Sequence, residues 1–477
     1  MLLKNILLLN TIAPSGCRMI KTGRCQIKII PGLSPWPPID LAEIAASLMP
    51  LETSIKILDA VVECSSYRQM IQDVINFSPE ILVFQNTTPT VPDDLDLCAY
   101  FKKKLPFIKI ITFGLHGTVR PNDLLETGCI DFVIRGEPEL TCFELCKSLI
   151  SIQPVTFKDI EGISYRQNSK SFNNIERPVI KDLDSLPFAA RDLLNNNRYI
   201  LTLNNAPFSI IRVSRGCPHG CIYCTSEVFY KDHLRKRSPQ NIIEEIKQII
   251  KKHSIDNFIF LSDTFNGEED WVLELCSLII KEKLNITWSC NSRIDFLTPR
   301  EAKLMRQAGN QLISCGIETN SEIILINCHR KIKMADIIKG VKIAKENNIK
   351  ILGYFILGLP GETRESMNAT IKFSKTIGLD YAYFYTATPF PGTKLFNLAK
   401  EQGWLKSFKW NKYHHGSSSV LSYPTLDHKT ISKSVKKAYR NFYIDFKKIK
   451  NELLSTKSKR DFINKLTIGF KLLREFF

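Results

Sequence analysis

No apolar run in this sequence approaches the length that a membrane-spanning helix needs. Low-complexity tracts are missing as well, so a fibrous or wholly disordered chain is excluded. The opening Met-Leu-Leu-Lys-Asn-Ile-Leu-Leu-Leu-Asn lacks a small-residue cleavage site, and we read it as a first core strand, not a signal peptide. A cytoplasmic protein is expected. Histidine is sparse, with none before His116. Acidic residues are outnumbered, 48 against 65 lysines and arginines, for a net charge of +17. That excess suits nucleic acid, an anionic substrate, a membrane surface or a solvated basic face, and charge alone chooses none of them. The 14 cysteines of a chain without an export signal should be reduced thiols, so ligation is considered before disulfides. Cys142, Cys146, Cys276 and Cys290 lie in apolar segments and read as small buried hydrophobes.

At 477 residues and 44% hydrophobic content the chain can fill two domains and an appendage. In residues 1–150, β-rich runs at Lys4–Asn10, Ser54–Asp59, Glu80–Gln85, Ile108–Phe113 and Ile130–Arg135 alternate with helical patterns. Those patterns fall near Leu41–Met49, Tyr67–Phe77, Pro92–Lys104 and Pro138–Ser151. Such alternation implies parallel pairing in a doubly wound, Rossmann-like sheet, with ligands beyond the carboxyl ends of its strands. Those ends carry Asn86-Thr87-Thr88, Gly114-Leu115-His116-Gly117-Thr118 and Gly136-Glu137. Residues 151–205 are polar and contain Pro154, Pro178 and Pro187; they read as a linker with a small hairpin around Gly162–Tyr165. The β/α rhythm returns over 206–400. Strands are expected at Phe208–Ser214, Phe258–Ser262, Ile286–Cys290, Gln311–Ile317, Ile349–Leu357 and Tyr381–Thr386, and Ser238-Pro239 opens the first helix. Six units predict a partial (β/α)6 barrel with its site at the carboxyl ends of the strands. Residues 401–477 read as a basic helical region with phenylalanines among lysines. The fold class is α/β throughout, with helices at the end.

Cys217-Pro-His-Gly-Cys221-Ile-Tyr-Cys224 places three thiols within eight residues, directly after a β-rich run. One loop of that length can wrap an iron–sulfur cluster. A closed zinc site wants a fourth ligand, and neither His219 nor His233 stands at a usual zinc spacing. The segment resembles the cluster loop of the radical S-adenosylmethionine (SAM) superfamily, with Tyr223 as the aromatic before the last cysteine. The resemblance implies a [4Fe–4S] cluster on Cys217, Cys221 and Cys224, whose open iron takes the amino and carboxylate groups of SAM. Further segments match in order. Phe260-Leu-Ser-Asp263-Thr-Phe265 resembles the second-strand motif that holds the SAM amino group, and Asn291-Ser292-Arg293 resembles the third-strand ending. Gly316-Ile-Glu318 resembles the fourth-strand motif. Gly353-Tyr-Phe-Ile-Leu-Gly358-Leu-Pro-Gly361-Glu362-Thr363 resembles the fifth, where glycine lets backbone approach adenine.

Across nearly the whole chain the resemblance is to the branch in which a cobalamin-binding domain precedes the barrel. This branch includes anaerobic magnesium-protoporphyrin cyclase and hopanoid and natural-product methylases. Trp36-Pro-Pro38, Thr87-Thr88, Gly114-Leu-His116 and Asp131-Phe-Val-Ile-Arg-Gly136-Glu137 carry it, as does Pro389-Phe-Pro391-Gly392-Thr393. It implies cobalamin contacts at Thr87, Gly114, His116, Gly136 and Glu137, and SAM contacts at Tyr223, Asp263, Arg293, Glu318 and Gly358. The DxHxxG motif that supplies an axial histidine elsewhere is absent, so the nucleotide tail should be displaced with no histidine replacing it, unless His116 takes that role. Leu115 stands where the pattern has a second glycine. The expected chemistry is C-methylation, cyclisation or another radical reaction at an unactivated carbon of a small-molecule or lipid-like substrate. A reductant such as flavodoxin or ferredoxin would supply electrons. Methylthiotransferases are the rival reading, with Cys25, Cys64 and Cys98 as candidate ligands of a second cluster. A basic nucleic-acid-binding protein with a metal site is the non-enzymatic one. The basic residues at Lys447–Lys450 and the phenylalanines at Phe470–Phe477 suit peripheral membrane contact or a helical lid.

Overall fold

A computed structural model describes residues 5–444 apart from 23–24, 30–32, 152–155, 203, 415 and 417. Lys447–Lys450 and Phe470–Phe477 lie outside the described residues. No helix among the described residues is long and apolar enough to cross a membrane.

The first sheet is built from β1 (Asn5–Asn10), β2 (Ser54–Asp59), β3 (Ile81–Gln85), β4 (Lys109–Phe113) and β5 (Phe132–Ile134), then β6 (Ile163–Gln167) and β7 (Lys170–Asn173). Their order is β2-β1-β3-β4-β5-β6-β7, with the first five parallel and the last two antiparallel. The strands are apolar on both faces, as a sheet covered by helices on each side requires. Ile6 and Leu8 pack beside the helix Ile39–Leu48. Leu7 and Leu9 face the opposite layer, with Met70, Val74 and Phe101. Part of the stretch read as a linker, Ile163–Asn173, therefore extends this sheet. Its buried Ile163 and Tyr165 cover β5, which would otherwise be an open edge.

The order of strands reverses between β1 and β3, and a crevice at the carboxyl ends is expected at that switch point. A hairpin, Met19–Thr22 with Cys25–Lys28, lies there.

The second sheet holds β8 (Ser209–Arg212), β9 (Asn257–Leu261), β10 (Thr287–Asn291), β11 (Asn310–Glu318), β12 (Lys350–Leu357) and β13 (Tyr381–Thr386). All six are parallel and paired in sequence order, and β8 and β13 do not meet, so the barrel is partial. Phe258, Phe260, Trp288 and Ile313 face the helical layer. Ile210, Ile259 and Leu261 pack into the core of the first domain, so that domain covers the inner side of β8 and β9. At the other edge the helix His428–Tyr443 covers β13. The amides of Phe384 and Ala382 donate to the hydroxyls of Tyr439 and Tyr443, each at 3.2 Å, in place of a seventh strand.

Buried charges join the two sheets. Arg212, at the end of β8, bonds Asp40 and both Glu43 oxygens, the latter at 3.0 Å. Arg215 donates to Glu139 at 2.6 Å and to Glu137 at 3.2 Å, and Arg235 also holds Glu137. Beneath them Glu245 accepts from Arg191 at 2.6 Å and from Arg237. Burial alone would raise the Glu245 carboxyl, but the two guanidiniums outweigh it and hold the group below its ordinary range. Removing one member of such a seam leaves a buried charge without compensation. Arg212→Ala is therefore expected to lower unfolding stability by about 3–5 kcal/mol, measured by denaturant titration.

Candidate functional site

The cysteine loop leaves the first barrel strand under tight steric control. Ser214–Arg215 pairs antiparallel with Arg235–Lys236. Gly216 follows at φ +86°, where a Cβ would stand 2.1 Å from the carbonyl oxygen of His233. Only glycine fits there. The Asp263 carboxylate accepts the Gly216 amide at 3.0 Å and the Ser226 hydroxyl at 2.9 Å, clasping the loop at both ends. In the described structure Asp263 thus braces the cysteine loop from the end of β9.

The three thiols occupy one short turn with polar neighbours. Cys217 Sγ lies 3.4 Å from the Thr264 hydroxyl, and the Ser226 amide approaches Cys224 Sγ at 3.4 Å. Cys221 is buried 4.0 Å from Arg330 Nη1. Among the described residues no three His, Cys, Asp or Glu side chains gather as they would about a single metal ion. Thiolates that bind different irons of one cubane stand farther apart and need not converge. A guanidinium beside Cys221 suits an anionic ligand. His219, in the same loop, is held down at about 4 by burial and by Arg293 and Arg330, so it stays neutral beside the thiols. Tyr223 Oη and Arg330 Nε are buried without a hydrogen-bond partner. Orphans of this kind in a native fold call for an explanation, and a polar ligand at the cysteine loop supplies one. The donor set fits an iron–sulfur cluster with SAM.

The remaining SAM candidates separate by environment. Glu318 ends β11 at φ +68°, at a bulge, and lies 3.9 Å from Arg330. Gly316 leaves room for it, since a Cβ there would stand 2.3 Å from Glu318 Oε1. Arg330 also bonds the Gly316 carbonyl, so Cys221, Glu318, Gly316 and Arg330 form one cluster. Sequence reasoning missed Arg330, because it sits in a basic segment with no motif spacing. Arg293 is committed to Asp295 at 2.5 Å and lies over the Phe296 ring at 4.4 Å. Gly358 lies against the C-terminal helix. Its missing Cβ makes room for Ile431 of the C-terminal helix, which a methyl group would meet at 2.7 Å. Its carbonyl accepts from Tyr423 at 2.7 Å.

The carboxyl edge of the first sheet faces this site. Gly392, in the loop after β13, packs on Val119 and Val228, and Leu115 is buried among Phe229, Tyr230 and Phe390. Leucine in place of the second glycine thus contributes to interdomain packing. Thr87 closes a capping box with Thr90. Gly114 adopts φ +133°, and a Cβ there would stand 2.2 Å from the Asn86 carbonyl oxygen, so the position requires glycine. His116 is fully buried, with Nδ1 3.4 Å from Thr88, Nε2 3.3 Å from Asp123 and the Trp410 ring against it at 5.1 Å. Both ring nitrogens therefore have a polar neighbour within the first domain. Glu137 is held by Arg215 and Arg235 and serves the seam. Gly136 has open space beside it. Two buried polar atoms at this edge lack partners: Gln26 Nε2, whose Oε1 accepts the Thr88 amide at 3.1 Å, and His414 Nδ1. The His414 carbonyl accepts from Thr388 of the barrel at 3.2 Å. These orphans between the two edges fit a ligand rich in amide groups, as a corrinoid is.

Two of the three cysteines of the rival reading lie in the core of the first domain. Cys64 and Cys98 are buried among aliphatic side chains, and burial pushes the Cys64 thiol up to about 12 and Cys98 well above its ordinary value. The Cys25 side chain lies outside the described residues.

Comparison with known proteins follows the same lines. The Radical SAM superfamily model matches residues 211–374. The uncharacterized methyltransferase PH0819 of Pyrococcus horikoshii is 34% identical over 86% of this chain and 88% of its own length. The anaerobic magnesium-protoporphyrin IX monomethyl ester cyclase of Rubrivivax gelatinosus is 25% identical over 90% of this chain and 77% of its own. Among solved structures, the radical SAM methyltransferase TsrM of Kitasatospora setae, with cobalamin and a [4Fe–4S] cluster bound, shares the fold at a TM-score of 0.68. It is 14% identical and covers 85% of this chain and 79% of its own.

Glu362 bears directly on the turn after β12. Its Oε2 accepts the amides of Gly358 at 2.5 Å and Leu359 at 3.1 Å, while burial raises the carboxyl to about 7 from an ordinary 4.5. A raised acid stabilises the fold below its unfolded value and loses that contribution as pH rises through the folded one. Stability should fall by on the order of 3 kcal/mol between about pH 4.5 and 7 from this group. Glu362→Gln, which keeps a carbonyl acceptor, should flatten that part of the pH profile in denaturant titrations.

Proposed function

The chain belongs to the radical SAM superfamily, and from that premise we propose that it methylates an unactivated carbon of a small-molecule substrate with cobalamin between its two sheets. One observation carries the reading: Cys217, Cys221 and Cys224 share an eight-residue loop at the carboxyl end of β8, beside the buried, unpartnered Tyr223 hydroxyl and Arg330 Nε. Held there, the cluster and SAM would supply one-electron chemistry at an unactivated carbon, and a methylated corrinoid would supply the methyl group.

The protein's own contribution is placement and exclusion of water. Asp263 fixes both ends of the cysteine loop. Arg330 sets positive charge beside Cys221 and Glu318, and the two side chains would offer a cation and an anion to the carboxylate and amine of SAM. Tyr223 Oη offers a donor with no competing partner. The inner side of β8 and β9 is sealed by the first domain, which shields a radical from solvent. Cyclisation is the second reading, favoured by the similarity to the cyclase over most of both chains. Electrons would come from a flavodoxin- or ferredoxin-like donor.

Cys221→Ala tests the assignment. Anaerobically reconstituted wild-type protein given dithionite and SAM should release 5′-deoxyadenosine, while the variant should hold no cubane by iron counting and release none. A variant that keeps both would defeat the ligand assignment.

A further inference from the structure

The hairpin Met19–Thr22/Cys25–Lys28 is attached across the carboxyl ends of three strands of the first sheet. Arg18, at its base, donates to the carbonyls of Val61 at 2.5 Å and Cys64 at 2.9 Å, just beyond β2. Lys21 Nζ donates to the Thr11 hydroxyl at 2.6 Å and to the Gln85 carbonyl at 3.3 Å, bridging the ends of β1 and β3. Gln26 accepts the Thr88 amide. Lys21, Thr22 and Gln26 are 4%, 2% and 2% exposed. The bridge therefore spans the point where strand order reverses, which is where an open α/β sheet ordinarily takes its ligand into the crevice.

A buried ammonium is costly to place and costly to strand. Thr11 and Gln85 satisfy it, and Asp94 lies close enough to oppose the lowering that burial imposes on Lys21. Asp94 is itself tied to Thr90 at 2.6 Å. Inserting a ligand's appendage between β1 and β3 would expel Lys21 from these partners. On the neighbouring side Trp410 donates to Asp123 at 3.2 Å and stacks edge-on against His116.

We propose that Lys21 and Gln26 close the switch-point crevice, so that this chain selects a corrinoid by its ring and amide groups and leaves the lower nucleotide tail outside. The inference rests on the corrinoid reading above and adds a specificity to it. Lys21 and Gln26 determine it by occupying the crevice. Gln26 Nε2 and His414 Nδ1, both without protein partners, remain at the edge for the amide groups.

The test uses full-length protein with its cluster reconstituted, titrated anaerobically with hydroxocobalamin and, in parallel, with diaquocobinamide, which lacks the tail. Binding is read from protein fluorescence quenching and from corrinoid retained after desalting. Cobinamide should bind at least as tightly as cobalamin. Cobalamin binding more than about threefold tighter would overturn the closed crevice while leaving the corrinoid reading intact. Retention of neither corrinoid would overturn both, and SAM cleavage in the same preparation would show whether the cluster assignment stands apart from them.

Discussion

A buried ionic seam between the two sheets is the constraint on which this structure turns. Arg212 and Arg215 stand at the end of β8 and just beyond it, and their carboxylate partners, Asp40, Glu43, Glu137 and Glu139, all belong to the first domain. Charges so deep are tolerated only when paired with opposite charge, so the two domains can sit in few relative positions. Arg215 is two residues before Cys217, and the seam therefore also fixes where the cluster loop begins.

The placement of the candidate site follows from it. The carboxyl ends of both parallel sheets meet, with Gly392 and Phe390 from one packed on Val119 and Leu115 from the other. Open α/β sheets bind ligands at such ends. A chain that presses two of them together brings both candidate ligand edges to one place. The same packing also holds residues that the resemblance assigns to cobalamin. His116 is a pin between Thr88, Asp123 and Trp410, and Glu137 is a member of the seam.

Much of this was legible beforehand. The strands Ser54–Asp59 and Tyr381–Thr386 and the helix Tyr67–Phe77 coincide with their hydrophobic patterns, because local periodicity reports which face is buried. The second sheet's strand order needed no more than the repeat of β and α segments. The hairpin strands β6 and β7 were harder to assign. Their polar outer residues look like a linker until β5 is seen to need a neighbour.

The sequence by itself determined the cysteine loop, because ligands of one cluster must lie close along a short turn and their spacing survives without any knowledge of the fold. It also determined the alternation that makes two parallel sheets. Tertiary structure decided what Gly358, Glu137, His116, Arg330 and Lys21 are for. Their partners are Ile431, Arg215, Trp410, Cys221 and Gln85, from 64 to 294 positions away along the chain. A contact across that separation leaves no local pattern; it exists only once burial has brought the two ends together.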